Sequence, residues 1–173
     1  LKNLGIETID SYLLHGPHSF PSLCKEDMEV WGALEAIYNS GKAKNIGVSN
    51  VNLQQLETLC ELSSVKPMVV QNRCYADRAW DQEVRDFCKQ NSILYQGFSL
   101  LTANPAVYKI REIGQIASKY HMTIGQLIFR FSSQLGIIPL TGTTDPIHME
   151  EDIKIFEFTL TEDEVNLIET CMI

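Results

Sequence analysis

An α/β fold built on a parallel sheet is predicted by three features of this 173-residue chain. Five short runs alternate with amphipathic stretches of helical spacing, the runs are too apolar for half-exposed strands, and no composition shift marks a linker. Strands covered on both faces and separated by helices leave two architectures, a doubly wound sheet or a piece of a (β/α)8 barrel. No Gly-x-Gly-x-x-Gly follows any strand, which weakens the dinucleotide-binding doubly wound option. A barrel closes with eight strands and typically about 250 residues. Three βα units are therefore expected before Leu1, and residues 1–173 read as a single domain truncated at its amino end.

Each element has its own signal. Leu1-Lys2-Asn3-Leu4-Gly5 reads as a last helical turn with its terminating glycine. Residues 9–15 form the first strand, closed by Gly16-Pro17, and residues 18–26 make a surface excursion stiffened by proline. A helix is expected over residues 27–40, where Met28, Trp31, Leu34, Ile37 and Tyr38 recur at three- and four-residue spacing. Gly41 suits the left-handed position that stops it, and Lys42 and Lys44 complement its negative end. Ile46-Gly47-Val48 is a buried strand running out to Ser49 and Asn50. At such a carboxyl end these two side chains either meet a ligand or cap the next helix.

Asn52, with Gln55 three residues on, makes a capping box for a helix lined by Leu53, Leu56 and Leu59. Residues 68–72 form the third strand. A loop with Tyr75 and Trp80 follows, leading to a helix from Asp81 whose buried side holds Val84, Phe87 and Cys88. Trp80 is either a substrate wall or a cover for the core. Residues 93–99 are the fourth strand. Two helices come next, over residues 107–120 and 124–135, the second capped by Thr123 with Gln126. Residues 137–142 are the fifth strand, followed by a helix over 146–155 and a last one opened by Thr161 with Glu164.

Composition excludes several function classes. With 22 acidic and 14 basic side chains the formal charge is −8, which opposes general affinity for nucleic acid or an anionic membrane. No apolar run approaches bilayer length, and no signal peptide opens the chain. The five cysteines lack Cys-x-x-Cys spacing and read as reduced thiols of a cytoplasmic protein. Cys74 has no histidine near it in sequence and reads as packing. The four histidines form no His-Glu-x-x-His pattern, so no metal site is expected.

Tyr12-Leu13-Leu14-His15, the run Gly41-Lys42 through Gly47-Val48-Ser49-Asn50, Val70-Gln71-Asn72, Gly97-Phe98-Ser99-Leu100-Leu101 and Gly142-Thr143-Thr144 fall one at the end of each successive strand. Together they resemble the aldo-keto reductase family in family order. The resemblance implies a TIM barrel of that type, here its last five βα units. It also implies reduction of aldehydes and ketones to alcohols by hydride transfer from NADPH, or less often NADH. The family's tetrad histidine falls at His15, where a neutral imidazole N–H would polarise a substrate carbonyl. The tetrad Asp, Tyr and Lys belong to strands this chain lacks, so the segment alone is expected to be inactive. The alternative is a non-catalytic relative that keeps only a cofactor cradle.

The resemblance also implies cofactor contacts. Ser49, Asn50 and Gln71 match the groups that bond the nicotinamide carboxamide, and these side chains offer both donors and acceptors. Phe98 takes the place of the stacking aromatic, usually Tyr, with a core Phe as the alternative. Ser99 and Leu101 lie in the pyrophosphate segment, with Leu100 in place of a frequent Pro. Gly142, Thr143 and Thr144 match the loop that holds the adenosine phosphate. His148 stands where Arg or Lys often grips the 2′-phosphate, and Glu151 and Asp152 match a Glu-Asn pair near the adenine. That loop has neither Arg nor Lys, which puts the NADPH preference in doubt. The expected partner is a small carbonyl substrate. An open sheet is further expected to self-associate or to pair with the missing amino-terminal part.

Overall fold

A computed structural model describes residues 1–173 of the chain. Strands β1 (Ile9–Leu14), β2 (Ala43–Ser49), β3 (Val69–Arg73), β4 (Leu94–Phe98) and β5 (Ile138–Pro139) belong to one sheet in sequence order. The pairings of β1 with β2, β2 with β3 and β4 with β5 are parallel. Sequence order with parallel pairing is what successive βαβ crossovers generate. The helices are α1 (Lys25–Asn39), α2 (Leu53–Leu62), α3 (Gln82–Gln90), α4 (Arg111–Lys119), α5 (Ile124–Gln134), α6 (Pro146–Ile153) and α7 (Glu162–Thr170). None is long and apolar enough to cross a membrane. The chain divides into two compact units, residues 1–72 with 83–95, and residues 73–82 with 96–173.

In the first unit, Ile46, Val48, Leu56, Val69 and Val70 are almost fully buried. Gly47 lies opposite both Leu13 and Val69, and a Cβ there would run into the Val69 carbonyl and the Leu13 side chain. Only glycine lets these three strands pack at this point. β2 starts at Ala43, three residues before the apolar run, because Ile9 pairs with Ala43 and the Asn45 amide donates to the Asp10 carbonyl (2.9 Å). The turn Lys2–Leu4 ends on Gly5 at φ 65°, the left-handed stop expected from the sequence. The Asn52–Gln55 capping box forms as expected.

Helix α1 begins at Lys25, two residues earlier than its apolar spacing suggests. Asp27 sits inside the first turn and accepts the Cys24 N–H (2.9 Å), making a capping box with Cys24 in the unusual cap position. Its carboxylate also takes the His18 N–H and the Ser19 hydroxyl (3.0 Å), which ties down the preceding loop. Burial opposes ionisation of Asp27. The backbone N–H groups of Cys24 and His18, with the Cys24 and Ser19 side chains, outweigh it and hold the carboxyl well below its usual range.

In the second unit the largest buried side chains include Trp80, Phe131, Ile113, Leu127 and Ile168. Trp80 is 0% exposed, its indole N–H donates to the Ile168 carbonyl (3.2 Å), and Phe131 meets it edge-on at 5.1 Å. It is a core residue, not a substrate wall. Cys74 is likewise buried, at 0% exposure. Gly97 is forced by closeness, since a Cβ would lie 2.8 Å from Ile137 and 2.9 Å from the Cys74 sulfur.

Three expected boundaries in this unit move. The helix over 107–120 is broken: a 3-10 turn, Val107–Lys109, gives way to an extended Ile110 before α4 starts. The fifth strand is only Ile138–Pro139; the Leu140 N–H still reaches the Gly97 carbonyl (2.8 Å), but Pro139 has no N–H to extend the ladder. The helix from Pro146 stops at Ile153 and continues as a 3-10 turn, Lys154–Phe156. The Thr123–Gln126 and Thr161–Glu164 capping boxes form as expected.

Candidate functional site

In the first unit the polar ends of β1, β2 and β3 are tied to one another. The Asn50 side-chain amide donates to the carbonyl of His15 (2.7 Å), which leaves the His15 imidazole exposed just past β1. Asn50 reaches it from a left-handed backbone, φ 56°, a conformation Asn tolerates better than most residues. Ser49 is 4% exposed, and its hydroxyl donates to the Gln71 carbonyl (2.6 Å). The Asn50 backbone N–H donates to that same carbonyl (3.1 Å). His15 and the Ser49-Asn50 pair, past and at the ends of β1 and β2, are thus tied to Gln71, which lies level with Ser49 in β3.

The residue that fixes this arrangement was not singled out in the sequence. The Asn72 side chain, 5% exposed, accepts the Val51 N–H (3.1 Å) and donates to the Val51 carbonyl (2.7 Å). It clamps the backbone directly after Ser49-Asn50. The available signal was the switch from Val69-Val70 to polar residues within β3. With these bonds made, Asn50 Oδ1 and the Ser49 oxygen lone pairs remain to accept, and the His15 ring can donate. The two acceptors suit the amino end of a carboxamide, and the imidazole donor suits a carbonyl oxygen.

The second unit holds the remaining predicted residues. Phe98, half-buried at the end of β4, has the Arg73 guanidinium 5.3 Å from its ring centroid, at cation–π range. Ser99 has φ 56°, and its carbonyl accepts the Ala103 N–H (2.9 Å), closing a tight turn. Leu100 is buried beneath it. Asn104, 6% exposed and also not singled out, accepts the Ala76 N–H (2.7 Å) and donates to the carbonyls of Cys74 (2.9 Å) and Leu100 (2.8 Å). Its signal was an Asn-Pro step after the turn. One amide in each unit therefore immobilises the backbone next to predicted contact residues.

A cavity of about 490 Å³ opens in the second unit, within the range of small-molecule sites. Leu101, Gly142, Thr143, His148 and Asp152 line it, and Thr144, Glu151, Phe98 and Ser99 do not. Tyr108, Phe129 and the start of α5 from Thr123 complete the wall, and none of these was foreseen. Burial raises the pKa of the Tyr108 phenol. Asp152 Oδ2 accepts the Thr141 hydroxyl (2.9 Å), while the Glu151 backbone carbonyl takes the Gln126 amide (3.0 Å). Asp145 caps α6 by accepting the Ile147 N–H (2.8 Å) and stands 3.9 Å from His148 Nδ1. Neither Lys nor Arg lines the cavity.

Comparison with known proteins shows which family the chain resembles. The profile of the Aldo/keto reductase family matches residues 1–105. The chain is 31% identical to an uncharacterized oxidoreductase, YtbE, of Bacillus subtilis, over 98% of this chain and 58% of that protein. It is 32% identical to an NADPH-dependent alpha-keto amide reductase of Saccharomyces cerevisiae, over 97% of this chain and 57% of that protein. A crystal structure of MGS-M4, an aldo-keto reductase enzyme from a Medee basin deep-sea metagenome library, superposes with a TM-score of 0.88 at 29% identity. That match covers 98% of this chain and 61% of the other, and an aldo/keto reductase from Brucella melitensis gives a TM-score of 0.87. The chain spans under two thirds of the length of these relatives, so its five βα units correspond to part of their barrel. The chain belongs to the aldo/keto reductase family.

Proposed function

We propose that this chain is part of a carbonyl reductase that converts small aldehydes or ketones to alcohols with a reduced nicotinamide dinucleotide. Residues 1–173 are read as one domain of this family. The observation that carries the reading is that Ser49 and Asn50, at the carboxyl end of β2, bond the main chain of His15 just past β1 and of Gln71 on the adjoining strand β3. That end of a βα barrel is where its chemistry is found. Relatives in yeast and Bacillus subtilis are named as an alpha-keto amide reductase and a glyoxal reductase, and a carbonyl substrate is proposed here as well.

The bound dinucleotide would supply hydride. Ser49, Asn50 and Gln71 would hold its carboxamide, and because Asn72 and the Gln71 carbonyl already fix their backbone, little ordering would remain on binding. In the second unit, taken by itself, Phe98 would offer a ring face, and Leu101, Gly142, Thr143 and the α6 residues would receive an adenosine group. His15 would donate a hydrogen bond to the substrate oxygen, drawing charge from the carbonyl carbon as it is reduced.

The test is fluorescence titration of the chain with reduced dinucleotides, followed by turnover of glyoxal by a full-length parent. Binding is expected for wild type and is weakened about tenfold or more by Ser49→Ala with Asn50→Ala, which removes hydrogen-bonding groups. In the parent, His15→Ala is expected to lower kcat by about a hundredfold or more with cofactor affinity unchanged. Cofactor binding that ignores the double substitution would discard this reading.

A further inference from the structure

We propose that the cavity beside α6 takes an adenosine whose ribose carries no 2′-phosphate, so that the chain prefers NADH to NADPH, with Asp152 accepting a hydrogen bond from a ribose hydroxyl. The inference rests on the carbonyl-reductase reading above and concerns only the adenosine end of the same cofactor.

Three features of the second unit carry it. The first is the absence of a cation suited to phosphate. Residues 141–152 contain Asp145, Glu150, Glu151 and Asp152 but no Lys or Arg, and none lines the cavity. A dianionic phosphate held in a partly desolvated pocket needs a paired positive charge.

The second feature is that the start of α6 is already occupied by the chain's own carboxylate. A helix amino end is a ready anion site because its first N–H groups lack partners. Here Pro146 supplies no N–H, and the Ile147 N–H is taken by Asp145 Oδ1 at 2.8 Å. The backbone N–H of Asp145 is itself bonded to the Thr143 hydroxyl oxygen (3.1 Å). The one side chain able to become a cation, His148, has its Nδ1 3.9 Å from Asp145 Oδ2. A phosphate arriving at this corner would meet a negative charge where the helix would otherwise have welcomed it.

The third feature is the geometry of Asp152. It faces the cavity, and the Thr141 hydroxyl occupies its Oδ2 at 2.9 Å, which orients the group and leaves Oδ1 to accept. An ionised carboxylate only accepts, so it suits a hydroxyl donor and repels phosphate oxygens. Thr141, an uncharged donor on the opposite strand end, keeps Asp152 in place without neutralising it.

The experiment is a set of binding titrations on the intact chain with NADH, NADPH, AMP and 2′-phosphorylated AMP, at low and high salt. NADH and AMP are expected to bind about tenfold or more tighter than their phosphorylated counterparts, as repulsion between close like charges implies. The gap should narrow as salt screens the repulsion. Asp152→Asn, which still accepts from Thr141, should bring the two members of each pair to within a few-fold. Tighter binding of the phosphorylated member by wild type overturns the inference and leaves the reductase reading standing. So does a preference for NADH that is indifferent both to salt and to Asp152→Asn. Failure of all four compounds to bind removes both.

Discussion

The strand ends of the first unit and the β5–α6 loop of the second hold their polar groups in different ways. Around Ser49 the bonds run from nearly buried side chains to backbone: Asn72 to both polar groups of Val51, and Ser49 to the Gln71 carbonyl. Around Asp152 the bonds run mostly between surface groups of the loop itself: Thr141 to Asp152, and Asp145 to Thr143 and Ile147. A buried bond that loses its partner leaves a group unable to reach water, whereas an exposed one exchanges it for solvent. The first region should therefore be costly to alter and the second permissive. On the proposed function, fixed recognition would fall in the first and adjustable cofactor choice in the second.

The sharpest way to break this contrast is at the close approach of β1, β2 and β3. Gly47→Val has no room for its side chain and is expected to destabilise by at least about 3 kcal/mol, measured by urea unfolding. Replacement of a buried clamp comes next. Asn72→Ala should cost about 2 kcal/mol by stranding the Val51 N–H and carbonyl, and Asn104→Ala should cost a similar amount. A loss of only a few tenths for Asn72→Ala would show that the backbone there is held by something else.

A graded effect is expected in acid. The half-buried Glu164 carboxyl is disfavoured by desolvation, yet the Lys119 ammonium, the Thr161 N–H and the Tyr120 hydroxyl bring its pKa from 4.5 down to about 2. A depressed carboxylate stabilises the fold above its unfolded pKa and loses that contribution as pH falls through the folded value. Melting temperature should thus decline between pH 4.5 and about 2, and Glu164→Gln should flatten that decline. Asp27, also lowered, adds its loss from 3.8 downward. The smallest effect belongs to the permissive loop, where Thr141→Val should change stability by about 0.5 kcal/mol or less. A cost comparable to that of Asn72→Ala would erase the distinction between the two regions.

Much of this architecture could be read from local pattern. The boxes at Asn52, Thr123 and Thr161 announce their helices because cap and partner lie three residues apart, and chemistry at that distance does not depend on the fold. The box at Cys24 escapes the same reading, since a thiol is an uncommon cap and the eye settles on Asp27. Ile110 keeps the apolar spacing of α4 while adopting an extended backbone, so the break before it leaves no trace in periodicity. Trp80 could not be placed from sequence, because its partner carbonyl at Ile168 lies 88 residues away. The same holds for the two clamping amides: Asn72 and Asn104 look like ordinary loop-edge polar residues until the long-range backbone they hold is known.

The bond from the Asn50 amide to the His15 carbonyl has a genealogical corollary. The acceptor is a main-chain carbonyl, present whatever side chain stands at position 15, so the bond constrains the residue 35 positions further on and not the histidine itself. Replacing Asn50 by a residue that cannot span that gap would move the histidine without touching it. Members of the lineage with a different residue at position 50 should therefore hold the end of β1 through some other contact, even where the histidine is kept.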